Sequence, residues 1–157
     1  MDVSAADLTL EKVLTECSDA CMYLEKNRLA SFTSWPFAEG SKCTKENMAR
    51  AGFYLCPTAS ETDLTRCYVC FREMMGWEPD DDPIKEHARS TNCLLLQLEK
   101  TEDQLTLRDV LNLEQARSKN RISKLSSFME TQAANKWETV KKDINTIKRE
   151  ARSAKKV

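Results

Sequence analysis

The sequence predicts an α+β fold, in which a small domain with a short three-stranded sheet and helices is followed by one long C-terminal α-helix. All three glycines and all four prolines of the 157 residues precede residue 84. The remaining 74 residues contain no helix breaker. The first half is therefore rich in turns, and the second half can form one continuous helix.

The charge distribution divides the chain in the same way. Residues 1–103 carry 11 Lys and Arg against 19 Asp and Glu, and residues 104–157 carry 13 against 6. An acidic first part and a basic second part predict different partners for the two parts. The basic surplus suits contact with DNA or acidic chromatin, or equally an ordinary solvated helix face. No stretch of about 18 apolar residues is present, so no membrane span is predicted.

The first segment of the chain has helical patterns. Residues 5–33 place apolar side chains at helical spacing, and Trp35-Pro36 ends this run because a residue before proline avoids the helical region. Thr44 can cap a short helix over residues 45–51, and Gly52 can supply its left-handed end.

The segment after Gly52 is predicted to form a sheet followed by a helix. Asp82 can cap that helix, with Pro83 at its first position. The strands are predicted from β-branched and aromatic residues between turn signals, and they cover residues 53–55, 65–68 and 72–77.

Four residues of this region are candidate metal ligands: Cys67, Cys70, His87 and Cys93. Two cysteines separated by two residues fit one turn that directs both sulfurs at a single ion. A histidine and a third cysteine complete the Cys3His set that is typical of structural zinc. A redox pair or two buried thiols would also account for C-x-x-C, but neither needs the downstream His and Cys. We therefore predict one structural Zn²⁺ that joins the strand turn to a helix.

The other four cysteines lack metal-ligand spacing. Cys17 and Cys21 lie one helical turn apart, and Cys43 and Cys56 stand alone. Seven cysteines is an odd number, and no long apolar run opens the chain. These features predict a reducing compartment, cytoplasm or nucleus, and no disulfide framework.

Four motifs occur in the first half of the chain: Arg28-Leu-Ala-Ser-Phe-Thr-Ser-Trp-Pro-Phe, Cys43-Thr-Lys-Glu-Asn-Met-Ala-Arg-Ala-Gly-Phe, Cys67-Tyr-Val-Cys-Phe and Gly76-Trp-Glu-Pro-Asp-Asp-Asp-Pro-Ile-Lys-Glu-His. Together they resemble the baculoviral inhibitor-of-apoptosis repeat, or BIR domain. The similarity covers about residues 25–125 and is greatest to family members with one BIR domain, a long helix and no RING. It implies an N-terminal helical extension over 1–24, a zinc-binding BIR domain over 25–97, and a linker with the long helix over 98–157.

One spacing departs from the family pattern. BIR domains usually have six residues between the histidine and the last cysteine, whereas five separate His87 from Cys93. On a helix an offset of seven returns to the same face, but an offset of six does not. The helix that carries His87 is therefore expected to end before Cys93.

The resemblance also implies a groove that holds the free N-terminus of a peptide beginning with alanine. Such a groove needs a carboxylate for the ammonium group, an aromatic wall and a small apolar pocket. The matching residues are Asp81, Trp77 and Met74. Arg72 and Ser90 stand where some members use a lysine and a histidine near a phosphothreonine of a histone tail. Alternatively, Asp81 only helps to cap a helix and solvate the surface.

The second half is predicted to be a long helix with an apolar seam. Thr106-Leu-Arg-Asp109 forms a capping box, and a helix over residues 107–152 would be about 70 Å long. An apolar seam on an exposed helix predicts a site for partner helices, although a frayed basic tail is the alternative. We expect this helix and the zinc domain to have separate cores. The seam comprises Ile122, Leu125, Met129, Trp137, Val140, Ile144 and Ile147.

No nucleophile–base arrangement is present and the single histidine is assigned to zinc, so we predict a protein that is not an enzyme. The resemblance implies a subunit of the chromosomal passenger complex, active in chromosome segregation and cytokinesis. Its groove would read a histone tail, and its seam would bind borealin-like and inner-centromere-protein-like helices, with Aurora B kinase in the same complex. The implied locations are the nucleus (chromosome and centromere), the spindle midzone and the cytoplasm.

The alternative class is an apoptosis inhibitor that acts on caspases or their antagonists. A homodimer is also compatible with the resemblance. In related proteins, aromatic residues near the junction between domain and helix contribute to dimerisation, and here Glu102 and Val110 take those places.

Overall fold

The computed structural model describes residues 7–38, 40–90 and 92–154, apart from the side chains of Ser90, Ser153 and Ala154. The chain forms two compact units, Met1–Ile122 and Ser123–Val157. The elements are α1 (Leu10–Glu16), a 3-10 helix (Ala20–Tyr23), α2 (Glu25–Ser31), α3 (Lys45–Arg50), β1 (Phe53–Leu55), β2 (Thr65–Cys67), β3 (Glu73–Met74), α4 (Pro83–Ser90), α5 (Leu94–Gln97), a second 3-10 helix (Glu102–Gln104) and α6 (Leu107–Ala154).

The sheet is antiparallel, in the order β1-β2-β3. Phe53 lies opposite Cys67 in the first pair of strands, and Arg66 lies opposite Glu73 in the second. All residues of β1 and β2 are buried, because helices and loops cover this small sheet. Its core includes Met22, Met48, Phe53, Tyr54, Val69 and Cys93.

The second and third strands are shorter than the predicted ranges 65–68 and 72–77, and the third ends at Met74. Gly76 has a φ of +74°, which an extended strand does not allow. The Asp63 carboxylate also accepts hydrogen bonds from the amides of Gly76 (2.7 Å) and Trp77 (3.0 Å). These amides bond to a side chain instead of a neighbouring strand.

The predicted helix signals are confirmed in the described structure. The Thr44 hydroxyl accepts a hydrogen bond from the Asn47 amide (3.3 Å) at the start of α3, and Gly52 follows that helix with a φ of +90°. The Asp82 carboxylate accepts from the amide of Ile84 (3.1 Å) at the start of α4. Two short elements, α5 and the second 3-10 helix, were not predicted.

The long helix α6 begins with the predicted capping box. The Asp109 amide donates to the Thr106 hydroxyl (3.2 Å), and the Thr106 amide donates to the Asp109 carboxylate (2.9 Å). A hydrogen bond from Lys100 to the same carboxylate (2.7 Å), together with the Thr106 bonds, lowers the pKa of Asp109. No helix among residues 7–38, 40–90 and 92–154 is long and apolar enough to cross a membrane.

The first turns of α6 belong to the core of the first unit. Leu113 is 2% exposed and lies in the same apolar cluster as the sheet, and Arg117 is 1% exposed. The expectation of separate cores is therefore wrong for this part of the helix. The burial of this part of the helix was not predicted because Arg117 is charged, and a pattern of apolar residues does not include it.

Arg117 belongs to a chain of buried polar groups. Its guanidinium binds the Asp19 carboxylate at 2.7 Å and also donates to the carbonyl of Tyr68. The Tyr54 hydroxyl donates to the second oxygen of Asp19 (3.2 Å) and accepts from Arg66 (3.2 Å). Arg66 in turn pairs with Glu73 at 2.6 Å. The network joins the N-terminal segment, the sheet and α6.

We expect Asp19→Ala to lower the free energy of unfolding by about 3–5 kcal/mol, because the change leaves the buried Arg117 charge without its partner. Urea unfolding at a fixed free zinc concentration measures this value. The control is Glu138→Ala, which removes an exposed 3.4 Å pair with Lys141 and should cost less than about 1 kcal/mol. Equal losses in the two variants would contradict the structural role of the Asp19 pair.

Candidate metal centre and adjoining groove

Three elements bring the four predicted ligands together. Cys67 is the last residue of β2, and Cys70 lies in the turn that follows it. His87 lies in α4, and Cys93 has an extended conformation (φ −79°, ψ 127°) immediately before α5. Since α4 ends at Ser90, the prediction that this helix stops before Cys93 is confirmed.

The four ligand atoms are close enough together to share one metal ion. All four lie within 4.8 Å of one another, and the Cys70 Sγ and His87 Nε2 atoms are 3.2 Å apart. Tetrahedral zinc with Zn–S bonds of about 2.3 Å separates its ligand atoms by roughly 3.5–3.8 Å. Cys67, His87 and Cys93 are buried and Cys70 is half-buried. The set therefore fits one structural zinc ion, as predicted.

The histidine ring is oriented by the backbone. His87 Nδ1 lies 3.0 Å from the carbonyl oxygen of Ala51. A proton on Nδ1 makes this hydrogen bond, so Nε2 is left unprotonated toward the three cysteines. The ring also packs against Phe53, with 4.7 Å between ring centroids.

The backbone at Gly52 comes close to the metal centre. A Cβ atom there would lie 2.4 Å from Leu95 Cδ2 and 3.5 Å from the Cys67 sulfur. The Gly52 carbonyl accepts a hydrogen bond from the Tyr68 amide (3.0 Å). This glycine is therefore needed both for its positive φ and for close packing of α5 on the cysteine turn.

Without a metal ion the thiols have very different proton affinities. Burial raises the pKa of Cys67, whereas hydrogen bonds from Cys67 and Cys93 lower the pKa of Cys70. Three thiolates cannot be buried together without a compensating positive charge. A bound zinc ion supplies that charge, and its binding free energy becomes folding free energy.

The predicted aromatic wall of the groove, Trp77, is largely part of the core. Its side chain is 7% exposed and packs edge-on against Phe53, with 5.4 Å between centroids. The indole Nε1 donates to the Thr65 hydroxyl (3.1 Å), which itself donates to the Met74 carbonyl (3.2 Å). Thr65 thus holds two of the predicted groove residues, Trp77 and Met74, in place. The sequence did not predict this role. The one available signal was a threonine within a predicted strand.

Asp81 closes a turn after Trp77. Its half-buried carboxylate accepts from the Glu78 amide (2.8 Å) through one oxygen. The other oxygen has no hydrogen bond from any described residue and can accept from a ligand. The cap of α4 is Asp82.

Two of the remaining predicted groove residues, Arg72 and Met74, lie beside or in β3, an edge strand of the sheet. Arg72 is exposed, and its carbonyl accepts from the Cys67 amide (3.0 Å). Met74 is half-buried in β3. The side chain of Ser90 lies outside the described residues. The roles of these residues in peptide binding stay predictions.

The predicted seam residues are accessible on α6. Ile122 lies in the first unit and is 69% exposed. In the second unit, Trp137 is 61% exposed and Leu125 is half-buried. Met129, Val140, Ile144 and Ile147 are exposed as well.

A small sheet joined to two helices through a Cys3His set defines a structural-zinc domain. The inhibitor of apoptosis domain family, BIR, matches residues 28–97. Baculoviral IAP repeat-containing protein 5 of Cavia porcellus is 47% identical over 118 residues, which cover 71% of this chain and 83% of that protein. The chain therefore belongs to the BIR family of inhibitor-of-apoptosis proteins, with survivin-type members as its relatives.

Two further relatives, from Rattus norvegicus and Xenopus laevis, agree with this assignment. Baculoviral IAP repeat-containing protein 5 of Rattus norvegicus is 42% identical and covers 80% of this chain and 89% of its own length. The corresponding 5.1-B protein of Xenopus laevis is 50% identical, covering 69% of this chain and 68% of its own length. A crystal structure of the autoinhibited dIAP1-BIR1 domain is 29% identical and superposes with a TM-score of 0.42 over 60% of this chain and 90% of that one.

We expect one zinc ion per chain, and loss of both zinc and the folded first unit in Cys67→Ser or His87→Ala. The reason is that each change removes a ligand whose binding energy stabilises the fold, on the order of 10 kcal/mol for a structural site. Elemental analysis and near-ultraviolet circular dichroism measure the two effects. The control Cys21→Ser changes a half-buried thiol outside the cluster and should keep its zinc. A chain that folds fully after chelation would contradict the assignment.

Proposed function

We propose that the protein is a non-enzymatic adaptor subunit of the chromosomal passenger complex. The observation that carries this proposal is the seam of large apolar residues on α6. Trp137 and Ile147 are 61% and 63% exposed, and Val140 and Ile144 are 41% and 42% exposed. Apolar side chains at spacings of three and four are the usual contact surface for other helices. The partners proposed for it are borealin-like and inner-centromere-protein-like helices, which connect the protein to Aurora B kinase.

The second part of the proposal is that the groove beside the zinc site binds the N-terminus of a histone tail. The free oxygen of Asp81 is suited to a peptide ammonium group, because a charge-assisted hydrogen bond is stronger than a neutral one. Met74, which is half-buried, and the small exposed part of Trp77 would contact the first, small side chain. The exposed Arg72 is suited to a phosphate further along the peptide. The neutral Met75, 58% exposed beside them, adds no second charge for the ammonium group.

The proposed activity requires no chemistry from the protein. Its single histidine faces the three cysteines, and BIR proteins are in general not enzymes. The proposed locations follow from the complex: chromosomes and centromeres in the nucleus, the spindle midzone and the cytoplasm.

An alternative function, inhibition of apoptosis, is supported by the family description. An inhibitor that acts on caspases or their antagonists would use the groove and would not need the seam. The two functions therefore differ in which part of the chain they require.

For the seam, we expect Trp137→Ala combined with Ile144→Ala to weaken assembly with partner helices by at least about a hundredfold. The two changes remove large apolar contacts, each worth about 2 kcal/mol or more at an interface centre. Co-purification and calorimetry with the two partner helices measure this. The control is Thr131→Ala combined with Glu138→Ala, which has the same seven-residue spacing on the other side of α6. Unchanged assembly in the seam variant, with inhibitor activity intact, would favour the alternative function.

For the groove, we expect Asp81→Ala to weaken binding of a peptide that begins with a free alanine by roughly tenfold, because it removes the carboxylate that holds the ammonium group. N-terminal acetylation of the peptide should have a similar effect on the unchanged protein. Calorimetric titration measures both. Asp80→Ala removes a neighbouring exposed carboxylate and serves as the control. Equal affinities for the free and acetylated peptides would rule out amine recognition by this groove.

A further inference from the structure

The first turns of α6 lie against the backbone of the turn between the first two cysteine ligands. The Arg117 guanidinium donates a hydrogen bond to the carbonyl oxygen of Tyr68. The side-chain amide of Asn120 donates to the carbonyl oxygen of Val69 (3.1 Å). Tyr68 and Val69 are the two residues that separate these cysteines. Both carbonyl groups of the cysteine turn are therefore bonded to a helix that is remote from it in the sequence.

The peptide group between Tyr68 and Val69 connects α6 to a metal ligand. This peptide is trans, so its carbonyl and its N–H group point in opposite directions. The carbonyl accepts from Arg117, and the N–H group of Val69 donates to the Cys67 sulfur (3.4 Å). Two hydrogen bonds in series therefore lead from the guanidinium to the sulfur through one peptide group.

The direction of these two hydrogen bonds favours a negative charge on the sulfur. A guanidinium draws electrons toward the carbonyl oxygen that it binds. The N–H group of the same peptide then becomes a stronger donor, because hydrogen bonds in a chain polarise one another. The acceptor at the end of the chain is a cysteine sulfur, which binds zinc as a thiolate. Arg117 is 1% exposed, so little water competes for its hydrogen bonds.

Two aromatic rings hold the guanidinium in this position. Its central carbon lies 5.1 Å from the ring centroid of Phe71 and 5.0 Å from that of Tyr23, which is within the range of a cation–π contact. Phe71 directly follows the second cysteine ligand and has a φ of +55°. A residue other than glycine keeps such a conformation only where its surroundings fix it. Arg117 therefore contacts both the middle of the cysteine turn and the residue that ends it.

The guanidinium uses different nitrogen atoms for its two polar partners. Nη2 binds the Asp19 carboxylate at 2.7 Å, whereas Nη1 donates to Tyr68. The ion pair can therefore be removed while the contact with the cysteine turn is kept. This separation allows the effect of Arg117 on the metal site to be distinguished from its effect on stability.

We propose that the first turns of α6 form the outer part of the metal site. Arg117 stabilises the Cys67 thiolate through the peptide group of the cysteine turn, and Asn120 fixes the next carbonyl of that turn. Groups that orient metal ligands in this way typically change metal affinity by about ten- to a hundredfold. Metal binding and the docking of α6 then favour each other, because such a coupling is reciprocal. The inference is independent of the proposed function, since it requires neither a peptide nor a partner helix.

The test is the absorption spectrum of the full-length protein saturated with Co²⁺ in place of zinc. The variant D19N/R117M removes the guanidinium without leaving a buried charge unpaired, and methionine keeps an unbranched side chain between the two rings. We expect its sulfur-to-cobalt charge-transfer band to move to longer wavelength, because a thiolate with a weaker hydrogen bond gives up electrons more easily. Zinc affinity, measured by competition with a chelator, should fall by at least about tenfold.

The control is Asp19→Asn alone, which removes the ion pair but keeps the hydrogen bond from Arg117 to Tyr68. This variant should be less stable than the unchanged protein and yet have the same charge-transfer band. If Arg117 is only structural, the band stays in place in both variants or moves equally in both. Either result would overturn the proposal.

The second contact is tested by Asn120→Ala, which alters no buried charge and so also decides the matter if D19N/R117M does not fold. We expect zinc affinity to fall by roughly tenfold, because the carbonyl of Val69 loses the group that holds it. Asn112→Ala changes an exposed asparagine of the same helix and should leave zinc affinity unchanged. Equal zinc affinities in the two asparagine variants would show that α6 is not part of the metal site.

Discussion

The fold of the first unit depends on the junction of β2, α4 and α5 at the Cys3His centre. The sheet has only eight residues in strands, too few to stabilise a domain by strand pairing alone. Four ligand atoms within 4.8 Å of one another link these elements at one point. The junction also accounts for Gly52, since a Cβ there would lie 2.4 Å from the Leu95 side chain of α5 and the φ of +90° favours glycine.

A second link consists of buried charges. Asp19, Arg66 and Arg117 are each at most 2% exposed, a costly arrangement unless every charge has a partner. Here Asp19 binds Arg117 and the hydroxyl of Tyr54, and Arg66 binds Glu73. Zinc therefore joins the sheet to α4 and α5. The charge network joins two other segments to the same sheet, the N-terminal segment through Asp19 and α6 through Arg117.

Local signals account for what could be predicted from the sequence. The spacing of Cys67 and Cys70, the caps at Thr44, Asp82 and Thr106, and the absence of Gly and Pro after residue 84 each act over a few residues. The pairing of Asp19 with Arg117 spans 98 positions, and no local pattern identifies such partners. The short helix α5 has only four residues, too few for a periodicity. The groove was predicted from the family resemblance, which assigned Trp77 to its wall. The resemblance did not predict the hydrogen bond from the Trp77 indole to Thr65 that holds the ring in the core.

The packing of Leu113 and Arg117 in the first unit has a consequence for the rest of α6. The unfavourable step in helix formation is nucleation of the first turn, and propagation is then nearly neutral for each added residue. The capping box and the buried turns of α6 provide this nucleus within the folded domain. The exposed residues beyond Ile122 only have to propagate an existing helix. The stability of the domain therefore also favours the helical form of the exposed seam residues that follow on the same helix.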